Sequence, residues 1–149
     1  MVARIWERAR LSTGAWWRVI TWAFMALILM QTFGPVFGRI EGTIWPVVKG
    51  TAITEVHDDG VTSVFFGVSE KVRECHFERI EWFIGNPEKG LRSPVQVIFL
   101  DRDKLRPAAP FEFGPWGVRI DEETLRRGSF AEVYHDCHAL FPTVTRFYP

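Results

Sequence analysis

The sequence predicts a mainly β protein: an antiparallel sandwich of about seven short strands and one short helix, carried behind a single N-terminal transmembrane helix. Three observations predict it. Residues 19–38 run without a charge between Arg18 and Arg39, and twenty helical residues span about 30 Å, the hydrocarbon thickness of a bilayer. The nine Pro and twelve Gly of the 149-residue chain fall mostly after that stretch and punctuate it at short intervals, which excludes long helices there. Between them lie short runs rich in strand formers, in a chain with thirteen Phe and seven Trp.

Residues 1–18 form a cytoplasmic leader. Ile5, Trp6 and Leu11 stand among Arg4, Arg8 and Arg10, so the leader reads either as a short amphipathic segment on the membrane surface or as a cytosolic tail. Residues 19–38 are the transmembrane helix. A soluble helix requires a polar face at 3.6-residue spacing, whereas Thr21, Gln31 and Thr32 cluster at the ends. A cleaved signal peptide requires a shorter apolar region and a small-residue cleavage site, and none is clear. Orientation follows from cations: Arg4, Arg8, Arg10 and Arg18 precede the stretch, and Arg39 and Lys49 follow it. The positive-inside rule then places the N-terminus in the cytoplasm. Trp16 and Trp17 mark the near interface and Trp45 the far one. Pro35 is placed in the last turn, and residues 39–46 are a linker.

Residues 47–149 are the extracytoplasmic domain. About 110 residues follow the apolar stretch, enough for one core and too few for two. Strands are expected over 47–56 and 61–68, joined by the Asp58-Asp59-Gly60 turn. In the next strand, 75–84, Cys75 and Phe77 fall on one face and Ile80, Trp82 and Ile84 on the other. That parity change predicts a bulge near Glu78-Arg79 or two buried faces. After a turn at 86–90, residues 95–100 are a continuous apolar strand. A polar loop (101–110) leads to a strand over 111–120 with a kink at Gly114-Pro115. Asp121 caps a two-turn helix ending at Gly128, with acids in its first turn and Arg126-Arg127 in its last. A strand over 130–139 and a last strand over 143–148 complete the domain.

Cys75 and Cys137 are the only cysteines. Outside the cytoplasm a disulfide between them is the default. One cysteine in an early strand, one in the penultimate strand, Trp82 between them and a short helix before the second resemble an immunoglobulin-like domain, and that resemblance implies an inter-sheet bridge. Trp82 follows Cys75 sooner than the family's core tryptophan, and Tyr134 stands three residues before Cys137 where the tyrosine corner needs two. The tail over 114–120 and 135–147, with its His-x-Cys-His and Thr-x-Thr runs, resembles the C-terminal segment of small uncharacterised membrane-anchored proteins of bacterial and prophage genomes. That group brings a context and no activity.

Zero net charge and the absence of a basic stripe exclude nucleic acid as the expected partner. His76 and His138 follow the two cysteines and are a candidate copper or zinc site with Asp136 nearby; in a reduced compartment Cys75, Cys137, His76 and His135 form a second candidate set. Against both stands a structural disulfide flanked by exposed histidines. The carboxylate clusters at 58–59, 101–103 and 121–123 each have a turn or capping role. No nucleophile, zinc-protease, P-loop or dinucleotide motif occurs, so no catalytic residue, cofactor or small-molecule substrate is assigned. Phe111, Phe113, Trp116, Phe147 and Tyr148 are either core or a partner-docking surface. The expected role is a non-enzymatic binding or accessory module of a membrane or envelope complex, anchored once in a bacterial inner membrane with its domain in the periplasm. Its partners are the bilayer and another membrane or envelope protein. The alternatives are a periplasmic metal-binding protein and an enzyme without a recognisable motif.

Overall fold

An apolar helix that belongs to a soluble core is buried; this one is not. In the structure, a computed structural model describing residues 2–100 and 106–149 with side chains from Ala15 onward, helix α1 spans Val2–Ile44. Every side chain from Ala15 to Phe33 is exposed. That run is about 28 Å long, and α1 is long and apolar enough over Ala15–Ile44 to cross a membrane. Two of its threonines are satisfied locally: the Thr21 and Thr32 hydroxyls donate to the Trp17 and Ile28 carbonyls, which suits an environment without water.

The helix does not end where the apolar stretch ends. Residues 39–44, expected as linker, continue it, and Pro35 lies in its interior rather than in its last turn. The cause is docking on the domain. Gly34, Gly38 and Gly42 stand four residues apart, on one helix face, and all three are buried. A Cβ added at Gly38 would collide with the Pro142 carbonyl oxygen, one at Gly42 with the Val144 carbonyl oxygen, and one at Gly34 would sit 3.2 Å from Phe141 Cβ. The missing side chains let the helix backbone lie against residues 141–145. Phe37 and Phe141 add a ring contact at 5.9 Å. The spacing matches the small-xxx-small pattern of paired helices, but here it packs a helix on a strand. Gly38→Leu is expected to push the helix off and cost about 1–3 kcal/mol, read as a lower Tm in detergent.

Among the described residues eight strands follow, in two antiparallel four-stranded sheets. The first sheet holds β1 (Val48–Asp58), β2 (Ser63–Lys71), β6 (Pro110–Val118) and β5 (Val97–Phe99), in that order. The second holds β4 (Leu91–Val95), β3 (His76–Asn86), β7 (Ser129–Asp136) and β8 (Thr143–Phe147). The single strand expected over 95–100 is split. The chain leaves one sheet after Val95 and enters the other at Val97, so one apolar run serves both layers. Strand β8 would be a bare edge, and such edges invite pairing with other chains; α1 lies against it.

The parity change in β3 is resolved as a bulge: its register on β7 shifts between Phe77 and Arg79. Beyond the bulge Ile80 and Trp82 face the core. Trp82 packs on Phe65 of the opposite sheet at 5.0 Å and on Phe147 at 5.4 Å. Its indole N–H donates to Ser129 Oγ at 3.0 Å, and that hydroxyl donates to the Leu125 carbonyl, so no polar atom of the tryptophan is stranded. The two predicted turns form. Asp58 and Asp59 carboxylates accept from the Gly60, Val61 and Thr62 N–H groups, and Asn86 caps a 3-10 turn at Pro87–Lys89. Helix α2 (Glu122–Gly128) is capped by Asp121, which accepts from Thr124 N. Asp58 Oδ2 also accepts from Glu122 N. The clusters at 58–59 and 121–123 are thus structural, while 101–103 lies outside the described residues.

Cys75 and Cys137 form the disulfide, with Cα atoms 4.6 Å apart. It corrects the inter-sheet bridge implied by the immunoglobulin-like resemblance. Cys75 immediately precedes β3 and Cys137 immediately follows β7, and His76 pairs with Asp136. The bridge therefore ties two neighbouring strands of one sheet at their ends.

Candidate functional site

The two ends of the sandwich are not equivalent. Strand β7 runs toward the apolar half of α1, since the segment after it carries Phe141 against Gly34 and Phe37. The disulfide, the start of β3 and the end of β7 therefore lie at the α1 end of the domain. At that end the sheets part around a cavity of about 760 Å³. Phe113, Trp116, Ile80, Val133 and Phe147 wall it, and all five are buried.

Four of the five aromatics expected as core or docking surface line this cavity: Phe111, Phe113, Trp116 and Phe147. The Phe113 and Trp116 rings pack at 4.6 Å, tilted by 33°. Tyr148 is apart from them, exposed and near Phe130 at 6.2 Å. The aromatics thus turn inward as a wall, and no single exposed surface holds all five. Arg106 sits over that wall, its guanidinium 4.8 Å from the Phe111 ring centre and 6.0 Å from that of Trp116. Lys71 Nζ donates to the Arg106 carbonyl at 2.7 Å, and Glu74 accepts from Ala108 N.

The candidate metal residues are separated. His76 lines this cavity. His138 lines a shallower groove with Glu78, Arg79 and Phe141, and its Nε2 lies 3.0 Å from Glu41 Oε2 of α1. Among the described residues no group of three or more His, Cys, Asp or Glu is placed to hold a metal. The cysteines of the second candidate set are consumed by the disulfide.

The histidine that matters at the cavity is His135. It is 3% exposed and lines the cavity, and among the described residues its Nδ1 has no hydrogen-bond partner. Burial, then the Lys71 and Arg73 charges, push its pKa down to about 4. It is neutral in the fold at neutral pH. Because the unfolded chain takes up a proton near the ordinary 6.5, the domain loses stability as pH falls from about 6.5 to 4, by up to about 3 kcal/mol. His135→Phe is expected to flatten that part of a Tm-against-pH curve.

A second cluster faces α1 from the outer side of β7. Glu132 is fully buried. Arg39 of α1 donates to its Oε2 at 3.1 Å, and Arg146 of β8 to its Oε1 at 2.6 Å. The Tyr134 hydroxyl lies 3.1 Å from both Glu132 and Glu81, its one proton serving one at a time. Burial and the two carboxylates push Tyr134 up to about 12. Arg73 pairs with Glu41 at 3.0 Å and donates to the Trp45 carbonyl. Helix and domain are thus held by glycine packing and by ion pairs. Sequence reasoning passed over Glu132 and Arg39: one was a polar residue on an alternating strand, the other a flanking charge.

Comparison with protein-family models, with curated proteins and with solved structures finds no match, so neither resemblance gains a relative to support it. The two-layer antiparallel architecture stands on the structure alone. The disulfide suggests an oxidising compartment.

Proposed function

We propose that the chain is a single-pass protein of a bacterial inner membrane, with its N-terminus in the cytoplasm, that holds a non-enzymatic binding module in the periplasm for a membrane or envelope complex. The orientation is supported by the arginines at 4, 8, 10 and 18 against Arg39 and Lys49, and the compartment by the disulfide. The reading keeps the immunoglobulin-like comparison at the level of two antiparallel layers and the bacterial and prophage setting suggested by the tail.

One observation carries the proposal. A passive tether needs a flexible linker, yet α1 continues past the apolar run and is fixed to β8 and Glu132. A domain fixed to its own membrane helix presents a constant face to whatever lies beside it in the bilayer. The exposed α1 side chains, including Trp22, Phe24 and Leu27, then meet lipid or a second helix. Photo-crosslinking from Trp22 and Leu27 in intact membranes, followed by mass spectrometry, is expected to capture a second membrane protein. Recovery of this chain alone would remove the accessory-module reading.

A further inference from the structure

The segment that joins β7 to β8 is uncharged, apolar at its tip, and packed beside the last turn of the charge-free run of α1. Between Asp136 and Arg146 it holds no Asp, Glu, Lys or Arg. Ala139 and Leu140 form an exposed tip, with 63% of Leu140 accessible. An exposed leucine by itself signifies nothing; its level along α1 does. A Cβ on Gly34 would meet Phe141 Cβ at 3.2 Å, the Phe37 and Phe141 rings are 5.9 Å apart, and the Pro142 carbonyl oxygen covers Gly38. The tip therefore stands beside residues 34–38 of the helix. That turn belongs to the apolar run. Residues 19–38 carry no charge, and a bilayer whose hydrocarbon, about 30 Å thick, covers all twenty places 34–38 in the leaflet nearest the domain. The free side of α1 gives the same level: Val36, Ile40 and Ile44 stay exposed past Gly34, and exposed Trp45 follows, a residue favoured at the membrane–water interface. The backbone of the tip is suited to that place, where polar groups need partners. Pro142 has no N–H, and the Leu140 N–H donates to His138 Nδ1 at 3.4 Å. With Nδ1 accepting, Nε2 is the ring nitrogen that donates, to Glu41 Oε2 of α1 at 3.0 Å.

We propose that residues 139–142 insert into the leaflet nearest the domain, at the boundary of headgroups and acyl chains, with the Leu140 side chain among the upper acyl carbons. Amphipathic segments lie at that boundary, about 5–10 Å deep. The occupant of this surface is lipid because the surface is continuous with the lipid-facing side of α1 through Phe37 and Phe141. The domain is then held to the bilayer at two places, the helix and the tip beside it. One helix leaves rotation and tilt free; a second contact fixes both, and the face the domain presents is fixed relative to the membrane as well as to α1. The inference rests on the reading of α1 as a membrane span, and adds that the domain itself touches lipid.

The test uses the full chain in phosphatidylcholine vesicles, with one fluorescent amino acid introduced at a time in place of Leu140, Phe33, Leu27 or Val61. No cysteine is added, so the Cys75–Cys137 bridge stays intact, and all four positions are exposed, so the probe displaces no core side chain. Val61 is the control for the far end: it follows the Asp58-Asp59-Gly60 turn, and Asp58 accepts from Glu122 N of α2, which leads into β7 at the end opposite the tip. Lipids carry a nitroxide either high on the acyl chain or near its end, and iodide is the quencher in water. At Leu140 the high nitroxide is expected to quench as strongly as at Phe33, with iodide quenching lost. Val61 should show the reverse, and Leu27 should respond most to the deep nitroxide. Leu140 quenched by iodide and not by lipid, while Leu27 stays quenched by lipid, would overturn the insertion and leave the membrane span standing. Leu27 open to iodide would remove the span and this proposal with it. Leu140 shielded from both quenchers, with energy transfer to a second labelled chain, would show that the tip docks a copy of this protein and would overturn the lipid contact.

Discussion

Glu132→Ala is expected to destabilise the protein by about 3 kcal/mol and to free α1 from the sheet. The carboxylate is fully buried and is the meeting point of Arg39, Arg146 and Tyr134. Deleting one partner of a buried ion pair costs about 3–5 kcal/mol, because the charges left behind are uncompensated. The low end applies here, since the Arg39 and Arg146 side chains each keep about a third of their surface exposed, 34% and 32%. Two measurements distinguish a lock from a mere packing defect. Tm should fall, and a cysteine pair placed at Phe37 and Phe141, whose rings are 5.9 Å apart, should crosslink more slowly. Replacing Arg39, Glu132 and Arg146 together by leucine should recover most of the lost stability, as apolar substitutes for buried ion groups often do. Stability restored without helix proximity would show that the charges hold the sheet and not the helix. Acid gives a third reading. Burial pushes the Glu132 carboxyl up, but hydrogen bonds from Arg39 and Arg146 and their charges outweigh it and hold it below its ordinary 4.5. A depressed carboxyl stabilises the fold above its unfolded value and loses that contribution as pH falls through the folded one. The lock therefore holds at neutral pH and weakens as pH falls below the ordinary 4.5, overlapping the acid end of the range over which the His135 contribution is lost.

What could be read from residues follows a physical line. Local chemistry was legible. The Asp58-Asp59-Gly60 turn, the Asn86 turn and the Asp121 cap depend on side chains bonding their own neighbours, and each forms. Period-two alternation was legible as well: the shift between Phe77 and Ile80 pointed to a bulge or to two buried faces, and the register shift on β7 shows the bulge. Features set by distant partners were not. The Gln96 crossover between sheets hides in an apolar run that fits a single buried strand. The disulfide pairing was forced by count, but its place within one sheet depends on which strands are neighbours, and spacing does not encode that. Phe111 and Phe113 read as core or as docking surface; Phe113 belongs to the buried core with Phe111 packed against it, and that both also line a cavity is something periodicity cannot express. Glu132 looked like an ordinary polar residue of an alternating strand. Its burial comes from α1, a helix whose end appeared from composition to be a linker.

Opening the Cys75–Cys137 bridge is expected to cost about 4 kcal/mol. The cysteines are 62 residues apart, and closing a loop of that size removes loop-closure entropy from the unfolded chain. For a domain of this size that corresponds to a fall in Tm of roughly 15–25 °C, measured with the Cys75→Ser, Cys137→Ser double variant against the oxidised protein. Either single substitution should cost about as much as both, because one missing sulfur opens the whole loop. The location adds a second effect. The bridge pins the end of β7, and the segment after it carries His138 to Glu41 and Phe141 to Phe37 of α1. Cys75 and His76 also line the cavity. Without the bridge, the cavity rim and the helix contact should loosen before the distant end around Trp82 and Ser129, seen as hydrogen exchange rising first at His76, Phe77 and His135. A uniform rise across β3 would instead mean that the bridge acts only through the unfolded chain. The compartment can be read from the same sulfurs. In intact cells they should resist maleimide until a reductant is added, and immediate labelling would place the domain in a reducing compartment and take away the main support for the periplasmic reading.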